Sequence, residues 1–203
     1  SMRVISHTLV SVRLPAVMNR MMKDLSATAL RYRQGKLYIL DQRKLPGEED
    51  WYACTSADEL IALIRGLAIR GAPLIGIAAT LWIGHCASQG CSSDELGNII
   101  ARLRDSRPTA INLMNYLERL QKLLDAGAGE CSLADEAVAI FEEDVALCDA
   151  IAGHGAALIE HNDRILTHCN TGSLATAGVG TGPNRNTSMP VDRKPAVSAC
   201  STI

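Results

Sequence analysis

Apolar and polar residues alternate between Leu30 and Leu40 on either side of Gln34-Gly35, the period-two rhythm of a β-hairpin. Pro46-Gly47 predicts a turn, and Trp51 to Thr55 a short strand. From Ser56 the rhythm becomes helical. Ser56-Ala57-Asp58-Glu59 is a capping box, and Leu60, Leu63, Ile64 and Leu67 recur at helical spacing in a helix expected to run to about Gly66. Pro73 suits the first position of the next helix, whose Leu74-Ile75-Gly76-Ile77-Ala78-Ala79 start is apolar all round and predicts burial. Ser92-Ser93-Asp94-Glu95 opens another helix, and Thr109 or Ala110 begins one running to about Ala126. Ser132-Leu133-Ala134-Asp135 starts a long helix with Leu133, Ala137, Ile140, Phe141, Leu147, Cys148, Ile151, Ala152, Gly155, Leu158 and Ile159 near one stripe. Asn162-Asp163 is expected to end it, and Arg164 to His168 reads as a buried strand.

This order of elements predicts an α/β fold. Residues 25–160 form a small, mostly helical N-terminal domain with a β-hairpin, and residues 161–181 begin a Rossmann-like parallel-sheet domain that is incomplete here. Residues 1–24 lack clear periodicity and caps and read as a loose leader. After Thr181 the pattern collapses into Gly-Pro-Asn-Arg-Asn-Thr-Ser-Met-Pro, so residues 182–203 read as a disordered or out-of-frame tail.

Composition narrows the function. The chain has 203 residues, enough to bury a core, with 47% hydrophobic and 21% charged residues. Phe141 is its only Phe, and scarce aromatics favour helix-on-helix and helix-on-sheet packing over an all-β sandwich. A net charge of −2 supplies no basic field for nucleic acid. No apolar stretch is long and unbroken enough to span a membrane, and no signal peptide is evident. The seven cysteines are odd in number and scattered, which predicts reduced thiols in a cytoplasmic protein.

Three motifs carry candidate chemistry. Ile165 to Ala175 (ILTHCNTGSLA) places Cys169 where a strand would end, before a glycine-containing turn and a helix N-terminus that would favour its thiolate. The rival reading is a buried structural thiol. His168 would alternate to the other face of that strand. Arg70-Gly71-Ala72-Pro73 sets an arginine and a glycine before a helix, where the free N–H groups of Leu74 and Ile75 would receive an anion. Ser106-Arg107-Pro108-Thr109 repeats the arrangement, and two converging arginines would grip one phosphate. Each arginine taken alone is equally a solvated charge. His85-Cys86 with Cys91 lacks a second pair at zinc spacing, so no metal is expected. His154 and His161 read as capping or solvated residues. Gly178-Val179-Gly180 is too short for a dinucleotide fingerprint.

Together, Arg70 to Ala79, Ser106 to Leu113 and Thr167 to Gly178 resemble methylthioribose-1-phosphate isomerase, in the right order and over about Leu30 to Thr181. The same superfamily includes ribose-1,5-bisphosphate isomerase and regulatory subunits of the translation-initiation guanine-nucleotide exchange factor. The resemblance implies a cytoplasmic homodimer of the methionine salvage pathway, without cofactor, acting on a small sugar phosphate. It would convert 5-methylthio-ribose 1-phosphate into 5-methylthio-ribulose 1-phosphate. Cys169 would be catalytic, while Arg70, Gly71, Ala72 and Arg107 would bind substrate. It also implies a catalytic aspartate from a second domain, expected beyond residue 203, and Asp192 in the Pro-rich tail does not match it. The chain therefore reads as a truncated, inactive form, changed near Thr181 and extended before about Met22. The alternatives are a non-catalytic subunit sensing a sugar phosphate or nucleotide, and an isomerase of ribose 1,5-bisphosphate.

Overall fold

The hairpin expected around Gln34-Gly35 forms in the computed structural model, which describes residues 22–160 and 163–182. β1 (Leu25–Ser26), β2 (Leu30–Arg33), β3 (Lys36–Leu40) and β4 (Trp51–Cys54) make an antiparallel meander in chain order. Arg33 pairs with Lys36, and the two residues between them take positive φ, Gln34 at 50° and Gly35 at 72°, as a tight two-residue turn requires. The alternation does what period two dictates. Leu25, Leu30, Tyr32, Leu37, Ile39 and Cys54 are buried on the helical side, while Arg31 turns outward with its guanidinium 3.8 Å from the Trp51 ring.

Five helices follow: α1 (Ala57–Arg65), α2 (Ala72–Ser88), α3 (Ser93–Arg104), α4 (Ile111–Asp125) and α5 (Glu130–Ala156). Ser56 caps α1 by accepting from the Glu59 N–H, but Glu59 reaches back to the N–H and hydroxyl of Thr55, one residue earlier than a standard box. At α3 the box closes fully between Ser92 and Glu95. Fourteen of the seventeen α2 residues are buried, as its apolar circumference predicts. α2 is the central helix, packed between α4 and α5 and against the sheet. Glycines permit the close crossings. A Cβ on Gly76 would lie 2.7 Å from the Tyr116 ring, and one on Gly84 would lie 2.9 Å from Ala137. The Tyr32 hydroxyl meets His85 Nδ1 at 3.1 Å and ties the sheet to this helix.

The structure corrects several boundaries. Pro73 is the second rather than the first residue of α2, with Gly71 as N-cap. Leu67 does not continue the α1 stripe. It takes φ 60° beyond the helix end and is exposed, while Ala68 and Ile69 are buried instead. α5 starts at Glu130, before Ser132, and stops at Ala156, short of Asn162, which with His161 lies outside the described residues. Its apolar stripe is buried only in part: Leu133, Ala137, Ile140, Phe141, Cys148 and Ala152 are covered, whereas Leu147, Ile151 and Leu158 face solvent.

The expected strand at 164–168 does not form. Those residues are exposed coil, with Leu166 97% accessible, and no ladder partner stands beside them among the described residues. An apolar run becomes a buried strand only where neighbouring strands satisfy its N–H and C=O groups, and a local pattern cannot supply them. No parallel strand pair occurs among the described residues, so the architecture is a mixed α/β fold of helices on an antiparallel sheet. None of the helices described is long and apolar enough to cross a membrane. Of the expected leader 1–24, residues 1–21 lie outside the described residues, whereas Met22 is buried in the core and Lys23 pairs with Glu142. Of the tail 182–203, residues 183–203 lie outside them, and Gly182 N–H donates to Thr171 O.

Candidate active site

The candidate site gathers where one loop returns to the start of α2. Residues 171–182 close on themselves. Thr171 O accepts from the N–H groups of Thr181 (2.9 Å) and Gly182 (3.2 Å), Gly172 bridges Gly180, and Ala175 N–H donates to Gly172 O at 3.0 Å. Such a closed-neck loop holds its two ends together through its own backbone hydrogen bonds. Cys169 stands just outside the neck, exposed and at φ 71°, a left-handed conformation uncommon for a residue with a Cβ. Asn170 Oδ1 then accepts from Gly172 N–H at 3.2 Å, an Asx turn that aims the chain back into the protein. Cys169 is thus neither at a strand end nor in a greasy interior, and among the described residues no helix follows it.

The helix N-terminus that meets this loop is that of α2. Leu74 N–H donates to Ala175 O at 3.1 Å, and a Cβ on Gly71 would lie 2.5 Å from both Ala175 Cα and Ala175 O. Gly71 itself has φ 90°, so only glycine suits both its conformation and its contact. The first-turn donors differ from expectation in consequence. Leu74 N–H is taken by Ala175, Ile75 N–H bonds Gly71 O at 3.0 Å, and Ala72 N–H is left without an acceptor among the described residues. Arg70 is exposed beside it. The path into Arg70 is held by residues 41–43. Gln42 N–H donates to Ala68 O at 2.8 Å, and Arg43 is clamped by the buried Asp41 carboxylate at 2.6 Å. That guanidinium holds Asp41 below the usual carboxylate range.

Arg107 sits in the link into α4. Its carbonyl accepts from Ala110 N–H at 3.0 Å, and its Nη1 is covered yet has no hydrogen-bond partner. Ala110 is the N-cap of α4 and no side chain caps that end, so Thr109 does not serve as cap. Because a Cβ on Gly76 would come within 3.1 Å of the Asn112 backbone, the second turn of α2 abuts the first turn of α4. Gly76 is five residues past Gly71, about 7.5 Å along the helix axis. The first two turns of α2 and the first turn of α4, each helix preceded by its arginine, therefore pack side by side.

Two residues missed by the sequence reading hold the loop. Gln42 Nε2 donates to Leu174 O at 2.8 Å, and Asp144, in the middle of α5, accepts from Ala177 N–H at 2.7 Å. Desolvation pushes the Asp144 carboxyl up, against the smaller opposing effect of the Ala177 and Gly178 N–H donors. A signal for Asp144 exists in the sequence: with Ala137, Ile140, Phe141 and Cys148 it recurs on the buried stripe of α5, and a carboxyl there demands a partner. Gln42 carries no such signal. Gly178 serves packing, since a Cβ there would lie 2.7 Å from Cys148 Cβ. His85, Cys86 and Cys91 form no ligand set, and no cluster of three or more metal-binding side chains occurs among the described residues. His154 is exposed in the last turn of α5, as expected, and His168 is exposed coil.

Residues 68–188 match the Initiation factor 2 subunit family. The chain is 47% identical over 160 residues to methylthioribose-1-phosphate isomerase of Serratia proteamaculans, covering 79% of this chain and 47% of that protein. It is 45% identical over 158 residues to the isomerase of the same name from Yersinia enterocolitica, covering 78% and 46%. Among solved structures, 5-methylthioribose 1-phosphate isomerase of Pyrococcus horikoshii OT3 superposes with a TM-score of 0.66 at 31% identity, covering 77% of this chain and 47% of that one. The translation initiation factor eIF-2B subunit delta of A. fulgidus superposes at 0.60 with 32% identity, covering 79% and 48%. The chain spans about half the length of the curated relatives it matches.

Proposed function

Since the chain belongs to the Initiation factor 2 subunit family, we propose that it carries the thiol and phosphate-gripping half of an aldose–ketose isomerase site for 5-methylthio-ribose 1-phosphate. The product is 5-methylthio-ribulose 1-phosphate. The observation that carries this reading is the seating of the Cys169-bearing segment on the N-terminus of α2, through Ala175 against Gly71 and Leu74. That seating brings the thiol's loop and the Arg70-Gly71-Ala72 anion site together from about a hundred residues apart.

The chemistry asks for these parts. A phosphate on the anomeric oxygen blocks ordinary ring opening, so a positioned acid/base group must act while the phosphate is held still and water is excluded. Arg70, with the free Ala72 N–H, takes the phosphate, and Arg107, its Nη1 unpartnered, supplies the second guanidinium. Hydrogen passes from C2 to C1 as the bond from C1 to the ring oxygen breaks and the C2 hydroxyl becomes the carbonyl. Cys169 is the acid/base group through which the hydroxyl proton reaches the former ring oxygen. Asp144 is occupied by loop amides, so the partnering carboxylate comes from elsewhere. Residues 161–181 are the opening of a Rossmann-like domain whose remaining strands pair with the exposed Ile165-Leu166 run. The working enzyme is a cytoplasmic homodimer that needs no cofactor.

The test is turnover of methylthioribose 1-phosphate labelled with ¹³C at C1, followed by NMR. It compares this chain with the same chain continued by the second half of the Serratia relative. The continued form is expected to yield the ketose, and Cys169→Ser to lower its rate at least a thousandfold. A folded continued form without turnover, or an active Cys169→Ser variant, overturns the proposal. A second reading, a subunit that binds a sugar phosphate or nucleotide without chemistry, is favoured by the likeness to the A. fulgidus subunit. It predicts binding with no ketose in either form.

A further inference from the structure

The 171–182 loop is held to the body of the protein from three directions, and one of its anchors is chemically costly. Gln42 takes Leu174 O, the α2 N-terminus takes Ala175 O, and Asp144 takes the Ala177 N–H. Asp144 is only 4% exposed, and among the described residues no lysine, arginine or histidine pairs with it. Its neighbour one turn on, Cys148, donates its thiol toward the same Oδ2 at 4.0 Å. An aliphatic side chain at position 144 would suit the buried stripe of α5 better on packing grounds, because burying a carboxyl is unfavourable unless hydrogen bonds offset it. The partners it does have are backbone groups of the loop. The loop also comes close enough for Gly178 to exclude a Cβ against Cys148, and Gly71 does the same against Ala175.

We propose that Asp144 is a positioning residue, which with Gln42 clamps the 174–178 segment onto α2 and α5 and so sets where Cys169 stands relative to Arg70-Gly71-Ala72. The clamp rests on the reading of Cys169 as the acid/base group only for its functional meaning. Its mechanics follow from the hydrogen bonds alone. Asp144 acts through an acceptor oxygen of fixed reach, not through bulk charge. An asparagine, which keeps an acceptor oxygen in the same place, therefore substitutes for it, whereas alanine leaves the Ala177 N–H without its acceptor.

The experiment uses the chain as it stands, with Asp144→Ala, Asp144→Asn and Gln42→Ala. Amide hydrogen exchange is read residue by residue, and iodoacetamide labelling of Cys169 is followed with and without methylthioribose 1-phosphate. In Asp144→Ala, exchange at Ala177 and Gly178 should quicken at least tenfold, while the amides of α2 beyond its first turn and those of α4 stay within twofold. The sugar phosphate concentration that half-protects Cys169 should rise at least fivefold, and Asp144→Asn should restore both. Gln42→Ala cuts the other side-chain anchor, at Leu174 O, and should loosen Leu74 and Ala175 in the same way, which covers the case of an Asp144→Ala chain that fails to fold. The proposal is overturned by loop exchange and basal Cys169 labelling that no variant alters, by an Asp144→Asn variant as loose as alanine, or by acceleration spread evenly through the core. A wild-type Cys169 that methylthioribose 1-phosphate does not protect sinks the isomerase reading instead, and exchange and basal labelling still decide the clamp.

Discussion

A methyl group on Gly71 should pry the loop that follows Cys169 off the helical body. Two separate penalties meet at this position. Its φ of 90° is a conformation that residues with a Cβ rarely take, and the added carbon would lie 2.5 Å from Ala175 Cα and O and 2.6 Å from Ala175 Cβ. The backbone term amounts to about 1–2 kcal/mol, and forcing an extra carbon against fixed backbone adds about 1–3 kcal/mol. Together Gly71→Ala carries about 2–5 kcal/mol, roughly a 30-fold to several-thousand-fold shift in an opening equilibrium, since each 1.4 kcal/mol is tenfold. Because the loop closes its own neck, it can lift as a unit, and local opening is the cheapest way to relieve the clash. Gly90 supplies the control. Its φ is 83°, but a Cβ there meets nothing within 4 Å, so Gly90→Ala reports the backbone term by itself. Hydrogen exchange at Leu74 and Ala177 should rise steeply in Gly71→Ala and remain at the wild-type rate in Gly90→Ala, with only a small loss of denaturation midpoint in the latter. Equal midpoints and equal Leu74 protection in the two variants would show that the Gly71–Ala175 contact is not what seats the loop.

Stability should also bend with pH in two opposite directions. The Arg43 guanidinium lowers Asp41, so that contribution is complete above the ordinary carboxylate range and is lost as pH falls through the lowered value; Asp41→Asn should flatten the acid side of the urea-midpoint profile. Desolvation raises Asp144, so its contribution is complete at low pH and is lost as pH rises through the raised value. Asp144→Asn should remove that decline, and a profile identical to wild type in either variant contradicts the assignment. Alkylation should sort the thiols by burial. Cys54 and Cys86 are pushed up to about 12 by desolvation, which leaves roughly one thiolate in ten thousand at pH 8, whereas Cys131 and Cys169 are exposed. Mass spectrometry after brief iodoacetamide treatment should find the label on Cys131 and Cys169, and early labelling of Cys86 would contradict the packing of α2.

Local rules made most of this fold legible in the chain itself. Alternation about Gln34-Gly35, the Ser-to-Glu boxes at Ser56 and Ser92, and the all-round apolar start of α2 each state a short-range preference, and each element formed within a few residues of where that preference put it. The arginine motifs were visible for the same reason, as charged residues beside helix starts, and the cysteine motif as a thiol before a glycine-containing turn. What failed were statements about partners. Ile165-Leu166 is apolar enough for a strand, but strands exist by pairing, and the described chain offers that run no neighbour. Leu147, Ile151 and Leu158 fit a helical stripe, yet whether a stripe is buried depends on what lies across from it.

The sequence by itself therefore determined the elements, the central helix and the residue types at the candidate site, because those follow from periodicity, capping and side-chain chemistry within a turn or two. Only tertiary structure decided that the Thr171–Gly182 loop folds back on Gly71, that Leu74 surrenders its N–H to Ala175, and that Gln42 and Asp144 hold the loop in place. Those contacts join residues 33 to 132 positions apart, and no local pattern records which distant backbone groups will meet.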